Sequence, residues 1–317
     1  MLEGRKVVYS MFLWHILSHN VIPLCLMISL GALMERKFKL DIRTFSKLIF
    51  YLFTPVMLFK MLYESRLSAG ILLQIVGFII FFLLVLYANV DGVARLRGLS
   101  GGMRSAMRNS VLFYNSANYA IPLNQLVFAG NPFTMSVQLI VMVFQSVLPH
   151  TYGVYAVNAH KSNTREIMKT ILGMPAIYVI PVALIMNGFQ IPVPKPIYEP
   201  ITYISNGYVA LSLLTLGVQL AQMHWRIDQL WDVLISNALR LIAGPLIGFG
   251  IVMAMGLEGL LAQALVLSCA VPTSLSSVLL SVEFDNEPEF AGQAVFASTV
   301  FSIVTVTIVI YCLRFIP

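Results

Sequence analysis

The residues with chemistry to offer lie where the chain's hydrophobicity leaves least room for them. The stretch FYNSANYAIPL, Phe113–Leu123, sets Asn115, Ser116, Asn118 and Pro122 inside an otherwise uncharged run. A second stretch, SCAVPTSLSS, sets Pro272, Thr273 and Ser274 inside another. A proline within a helix removes an N–H donor and clashes with the carbonyl one turn earlier, so the helix splits. Neighbouring amides and hydroxyls can satisfy the freed backbone groups: Asn115, Ser116, Asn118 and Asn124 at the first break, Thr273, Ser274, Ser276 and Ser277 at the second. Each half-helix that restarts after a break presents unpaired N–H groups and a positive dipole end, which favour an anion. The chemistry expected is non-covalent anion binding, with no catalytic residue, no metal site and no cofactor.

Further polar groups follow each break. The next apolar run carries Gln138, Gln145 and Ser146 in the first case, and Gln293, Ser298, Thr299 and Ser302 in the second. Arg240, in ALRLIAGPL, is the one formal charge deep within an apolar run. Charges at membrane depth usually face the interior of a helix bundle and mark pathways. Two readings stand for it: extension toward phosphates of the inner interface, or attraction of the anion, by contact or by field. The expected substrate-binding set is Asn115, Ser116, Asn118, Pro122, Gln145, Pro272, Thr273, Ser274 and Arg240. His15 and His19 form an i,i+4 pair without the Glu of a catalytic helix motif or a nearby third ligand, so they are read as polar rings near an interface.

The elements that position these residues follow from composition. The 317 residues are 58% hydrophobic and only 11% charged, and the mean hydropathy is +0.84. A soluble domain carries about 25% charged residues, so the solvent is lipid. About 20 apolar residues cross the hydrocarbon core as a helix. Runs free of Asp, Glu, Lys and Arg at Val7–Met34, Leu67–Val90, Thr170–Pro194, Pro200–Trp225, Gly259–Val282 and Phe290–Leu313 each hold one span. Asn109–His160 holds two, divided by the turn AGNPF. Thr44–Tyr63 and Trp231–Met255 complete ten. Cys25, Cys269 and Cys312 lie apart in apolar runs and are read as packing residues.

Lysines and arginines set the orientation. Loops after the odd-numbered spans carry thirteen of them and the opposite side six, so both termini are expected outside. Lys47 and Lys60 sit near the ends of the second span, where they can snorkel. Tyr51, Tyr63 and Tyr87 are read as interfacial anchors, and Asp91 and Glu258 as solvated span ends.

Both halves repeat one series of events: a mid-span proline, a turn with a proline, then a polar-studded span. Residues 1–160 and 161–317 are expected as two five-helix repeats. Five is odd, so the second inserts upside down, and paired broken helices in inverted repeats are a transporter design with substrate near the midplane.

At these residues the sequence resembles the auxin efflux carrier family, within the bile acid/arsenite/riboflavin transporter superfamily. NSANYAIP, Asn115–Pro122, keeps both asparagines and the proline of the family's run at the first break, with Ala117 and Ala120 where glycine is usual. Ala270, Pro272 and Thr273 resemble the second break, and MPAIYVIPVALIMNG, Met174–Gly188, and ALSLLTLGVQL, Ala210–Leu220, resemble the sixth and seventh spans. The resemblance implies an all-α, ten-helix secondary carrier in the cell membrane, with helices four and nine broken and crossed, moving small organic anions such as carboxylates by elevator or rocking motion. Its expected partners are that anion, the bilayer and a second copy of the chain, with no nucleic acid. A sodium-coupled bile acid-type symporter, with a cation cage drawn from Asn115, Ser116 and Thr273, and a channel-like uniporter share the architecture. The sequence has no nucleotide-binding motif, and no span holds an Asp pair or Ser–His spacing suited to an intramembrane enzyme.

Overall fold

The computed structural model describes residues 18, 22–64, 68–99, 101–157, 172–173, 175–222 and 229–317. His15 and His19, and the basic residues Arg5, Lys6, Arg66, Lys161, Arg165, Lys169 and Arg226, lie outside them. The regular secondary structure of the described residues is helical, with no strand among them. The helices are α1 (Ile22–Phe38), α2 (Ile42–Leu48), α3 (Thr54–Glu64), α4 (Ala69–Leu96), α5 (Gly101–Leu112), α6 (Ala120–Val127), α7 (Pro132–Val147), α8 (Val154–Val157), α9 (Pro175–Gly188), α10 (Lys195–Gln222), α11 (Leu230–Ala238), α12 (Gly244–Ala254), α13 (Gly259–Cys269), α14 (Ser276–Glu283) and α15 (Pro288–Leu313). Single π-helical turns at Ile49–Phe53, Pro149–Gly153 and Leu239–Ala243 link α2 to α3, α7 to α8 and α11 to α12.

Among the described residues five stretches are long and apolar enough to cross a membrane: Gly70–Leu96, Pro132–Gly153, Lys195–Gln222, Leu230–Ala254 and Pro288–Leu313. The other runs expected to span are shorter or interrupted. α1 has 17 described residues, a π-turn divides α2 from α3, and unwound segments divide α5 from α6 and α13 from α14. Leu73, Phe81 and Leu84 on α4 and Val304 and Ile308 on α15 are exposed, as side chains facing lipid tails should be. Cys269 is buried and Cys25 half-buried, whereas Cys312 stands exposed on that apolar surface rather than packed inside.

The turn read from AGNPF is built as its residues dictate. Ala129 and Gly130 have positive φ, 50° and 69°. The Asn131 side chain then caps α7, accepting from Phe133 N–H at 2.9 Å and Thr134 N–H at 3.4 Å, with Pro132 in the first turn.

The helices sort into two groups. α1, α2, α3, α9 and α10 pack mainly on one another, and α4–α8 with α11–α15 form the rest. α1 and α10 meet backbone to backbone. A Cβ on Gly31 would overlap the Leu214 carbonyl, and one on Gly217 the Ile28 carbonyl. Small residues allow such close approach between helices in lipid, where dispersion rather than water exclusion drives association. The groups meet chiefly where α3 packs on α7 and α6 on α10, through an apolar seam that includes Met57, Leu58, Ile121, Leu139 and Tyr208.

Asp91 departs from its reading as a solvated span end. It is buried and accepts two hydrogen bonds from Arg104, both 2.8 Å. Arg95 lies 2.9 Å away and Arg108 3.7 Å. One carboxylate among three guanidiniums ties α4 to α5, the first half of a broken helix.

Candidate functional site

Two broken helices meet at their breaks. Between α5 and α6, residues Phe113–Tyr119 leave the helix, and between α13 and α14 the segment Ala270–Leu275 does the same. The unwound segments pair with each other. Asn115 N–H donates to Pro272 O at 2.8 Å and Ser274 N–H to Phe113 O at 2.8 Å, forming an antiparallel bridge between Tyr114 and Thr273. Backbone groups freed by one break thus satisfy those freed by the other, as burial away from water requires.

Side chains from the following helices hold the rest. On α7, Gln145 Oε1 accepts from Tyr114 N–H at 3.1 Å, and Gln138 Nε2 donates to Ser116 O at 3.2 Å. On α15, Ser298 Oγ accepts from Thr273 N–H at 3.1 Å. Within the breaks, Asn115 Oδ1 accepts from Asn118 N–H at 3.1 Å, and Ser274 Oγ accepts from Ser276 N–H at 3.2 Å. Thr273 Oγ1 donates to Ser110 O at 2.8 Å. Asn124 instead pairs with Thr134, whose Oγ1 donates to its Oδ1 at 3.0 Å. No residue of either break has positive φ. Ala117 and Ala120 therefore stand at no conformational cost where the resemblance has glycine.

A cavity of about 390 Å³ opens at the crossing, on the seam between the two helix groups. The second group contributes Tyr114, Asn115, Ser116, Ala117, Asn118, Met142, Val143, Gln145, Ser146, Ser274, Leu275, Ser276 and Leu279. The first contributes Lys47, Ile49, Tyr51, Thr54, Pro175 and Gln219. Its chemistry is divided between apolar side chains and a few amide and hydroxyl groups, the usual make-up of a small-molecule site. Among the described residues Gln145 Nε2 is buried with no partner at hydrogen-bond geometry, the Tyr114 hydroxyl lying near the same side chain, and the Asn118 side chain makes no hydrogen bond. A buried N–H left unmatched costs about 1–3 kcal/mol, so a ligand that accepts from it recovers that cost.

Of the nine residues expected at the site, Asn115, Ser116, Asn118, Gln145 and Ser274 line the cavity. Thr273 and Pro272 build the bridge behind it. Pro122 is buried in the first turn of α6, where a missing N–H is harmless, and Pro272 lies in its break proper. The two prolines are therefore not equivalent in position. The matched features are the half-helices, 12 and 8 residues in one case and 11 and 8 in the other.

Arg240 does not line the cavity. It is fully buried, in the π-turn that follows α11, so it does not extend to the interface. Its Nη1 donates to Val111 O at 3.1 Å and its Nη2 to Cys269 O. Its guanidinium lies 4.5 Å from the Tyr114 ring centroid.

Lys47 is not among the residues expected at the site, because a lysine near a span end has an ordinary snorkelling role. It stands at the cavity with no ion pair among the described residues. Tyr51, read as an interfacial anchor, also lines the cavity, and Gln219 enters from a helix far away in sequence.

The sequence matches a family profile described as "Membrane transport protein" over residues 16–310. An uncharacterized transporter of Methanothermobacter thermautotrophicus is 24% identical over 281 residues, 87% of this chain and 89% of that protein. An uncharacterized transporter of Methanocaldococcus jannaschii is 21% identical over 169 residues, 52% of this chain and 54% of that protein.

Proposed function

We propose that this chain, which belongs to the membrane transport protein family of auxin efflux carriers, is a secondary active carrier for small organic anions that binds them at the helix crossing. The observation that carries this reading is the cavity itself. It lies on the seam between two helix groups, and its polar side offers the unmatched Gln145 Nε2 and the half-buried Asn118 amide. A carboxylate would accept from Gln145 Nε2 and the Asn118 amide, with the Lys47 ammonium supplying opposite charge at the cavity wall. Met142, Val143, Leu275 and Leu279 would receive the apolar body. Charge-assisted hydrogen bonds of this kind are about twice as strong as neutral ones.

Movement of α1–α3, α9 and α10 against the remaining helices would expose this cavity to the two sides in turn. The seam supports such movement because few polar bonds among the described residues cross it; Ser136 Oγ to Met61 O at 3.0 Å is one. Ten spans in two inverted five-helix repeats, residues 1–160 and 161–317, account for the two similarly divided helices. The basic-residue count supports an orientation with both termini outside.

Uptake of labelled acetate, lactate, malate and benzoate into proteoliposomes tests this function. Saturable uptake of at least one carboxylate, competed by the others but not by neutral or cationic analogues, is the expected result. Equal uptake of cations would overturn the reading.

A further inference from the structure

We propose that Arg240 is a fixed internal cation that fastens the two broken helices at the crossing, so that no sodium ion is bound there. The proposal rests on the crossing being the transport site, but its test does not depend on any substrate.

An α-helix ends in unpaired carbonyls carrying roughly half a negative charge. α5 ends at Leu112 and α13 at Cys269, and their final turns converge on the crossing from opposite halves of the chain. Two such ends together call for about one positive charge. The Arg240 guanidinium is that charge. One arm reaches Val111 O at 3.1 Å and the other Cys269 O. Its face lies 4.5 Å from the Tyr114 ring centroid and 5.8 Å from that of Phe82, an arrangement in which the ring quadrupole attracts a cation.

The surroundings are shaped for this group. Gly244 follows one turn after Arg240. A Cβ there would lie 3.1 Å from Nη2 and 3.1 Å from Cys269 O, so any side chain would press on the contact. Guanidinium stays charged at all accessible pH, and its planar fork spans two carbonyls as a point charge would not.

The same arrangement leaves little for a free cation. Asn115 Oδ1 already accepts from Asn118 N–H, so a cation would have to share that oxygen with an amide proton. The Ser116 carbonyl accepts from Gln138. A sodium ion at the crossing would also be repelled by the buried Arg240 guanidinium.

Thermal melting of the purified full-length protein in detergent tests this, with sodium, potassium, choline and guanidinium chlorides at one fixed, non-denaturing concentration. Wild type should melt at the same temperature in sodium, potassium and choline. Arg240→Ala should melt several degrees lower in all three and regain most of that loss in guanidinium, while wild type gains nothing. Arg240→Met, which fills the space without charge, should stay low and respond to neither ion. Specific stabilisation of wild type by sodium would overturn the proposal. So would an Arg240→Met protein as stable as wild type, or an Arg240→Ala protein that guanidinium does not raise. Should Arg240→Ala yield no folded protein, the wild-type salt comparison and Arg240→Lys decide. The lysine variant should fold and melt between wild type and Arg240→Met, and one no more stable than Arg240→Met counts against a role for charge.

Discussion

Replacing Gln145 with Glu separates the two jobs of one side chain. Its Oε1 accepts from Tyr114 N–H at 3.1 Å, and its Nε2 is buried and unmatched. Glutamate is nearly isosteric and keeps an oxygen for the Tyr114 N–H, so the break stays formed. The other end changes from a donor to a negatively charged acceptor. A hydrogen bond to a charged group contributes about 1.5–3 kcal/mol. Two carboxylates about 4 Å apart repel by roughly 4 kcal/mol at an effective dielectric constant near 20. The lost bond with only half of that repulsion amounts to about 3.5 kcal/mol, roughly 300-fold in affinity. The assay is equilibrium binding in detergent of the best carboxylate from the uptake panel, normalised to monodisperse protein. Gln145→Glu should fold and lose binding by two or more orders of magnitude. Wild-type affinity in a folded Gln145→Glu protein would refute the assignment of Nε2 as an anion donor, and with it the placement of the substrate at the crossing.

Other consequences can be measured alongside. Asn118→Ala removes a cavity amide and should weaken binding by about 1–3 kcal/mol, roughly 5- to 150-fold. Unchanged titration would move the site away from the first break. Gly217→Val should abolish or severely lower the yield of folded protein, because its Cβ meets the Ile28 carbonyl, whereas Gly250→Val, with open space around it, should express normally. Equal yields would contradict the close α1–α10 packing. In a cysteine-free background, single cysteines near the N-terminus and at Pro317 should react with an impermeant thiol reagent in intact cells, and one at Lys37 should not. Labelling at Lys37 with protected termini would reverse the orientation.

The broken helices were legible in the sequence because an amide-rich break in an apolar run has few physical explanations. Hydropathy and the Asn131-Pro132 turn placed the helices flanking them. Pro122 and Pro272 drew attention to the right segments, yet they are not equivalent. Pro122 starts a half-helix while Pro272 sits in a break, and spacing in a sequence does not distinguish these roles. Arg240 was visible as an anomaly, but its partners Val111 O and Cys269 O are backbone atoms of helices distant in the chain. No residue type at those positions announces them. Lys47 and Tyr51 were hidden for the opposite reason, since lysines and tyrosines near span ends ordinarily mark the interface. Asp91 likewise reads as a solvated end from the sequence alone, because Arg104 and Arg108, which enclose it, lie on the next helix.

The central claim is that one cavity serves both sides of the membrane in turn, and counterflow tests it most directly. Vesicles containing purified protein are loaded with an unlabelled carboxylate from the uptake panel and diluted into a trace of the labelled compound. A carrier with alternating access takes label up against its own gradient, because outward-moving unlabelled substrate returns the cavity to the outside. Wild type should show a transient overshoot above equilibrium, and Gln145→Glu none. Label that rises only to equilibrium in wild type, with no overshoot, would mean a continuous pore and would contradict the account.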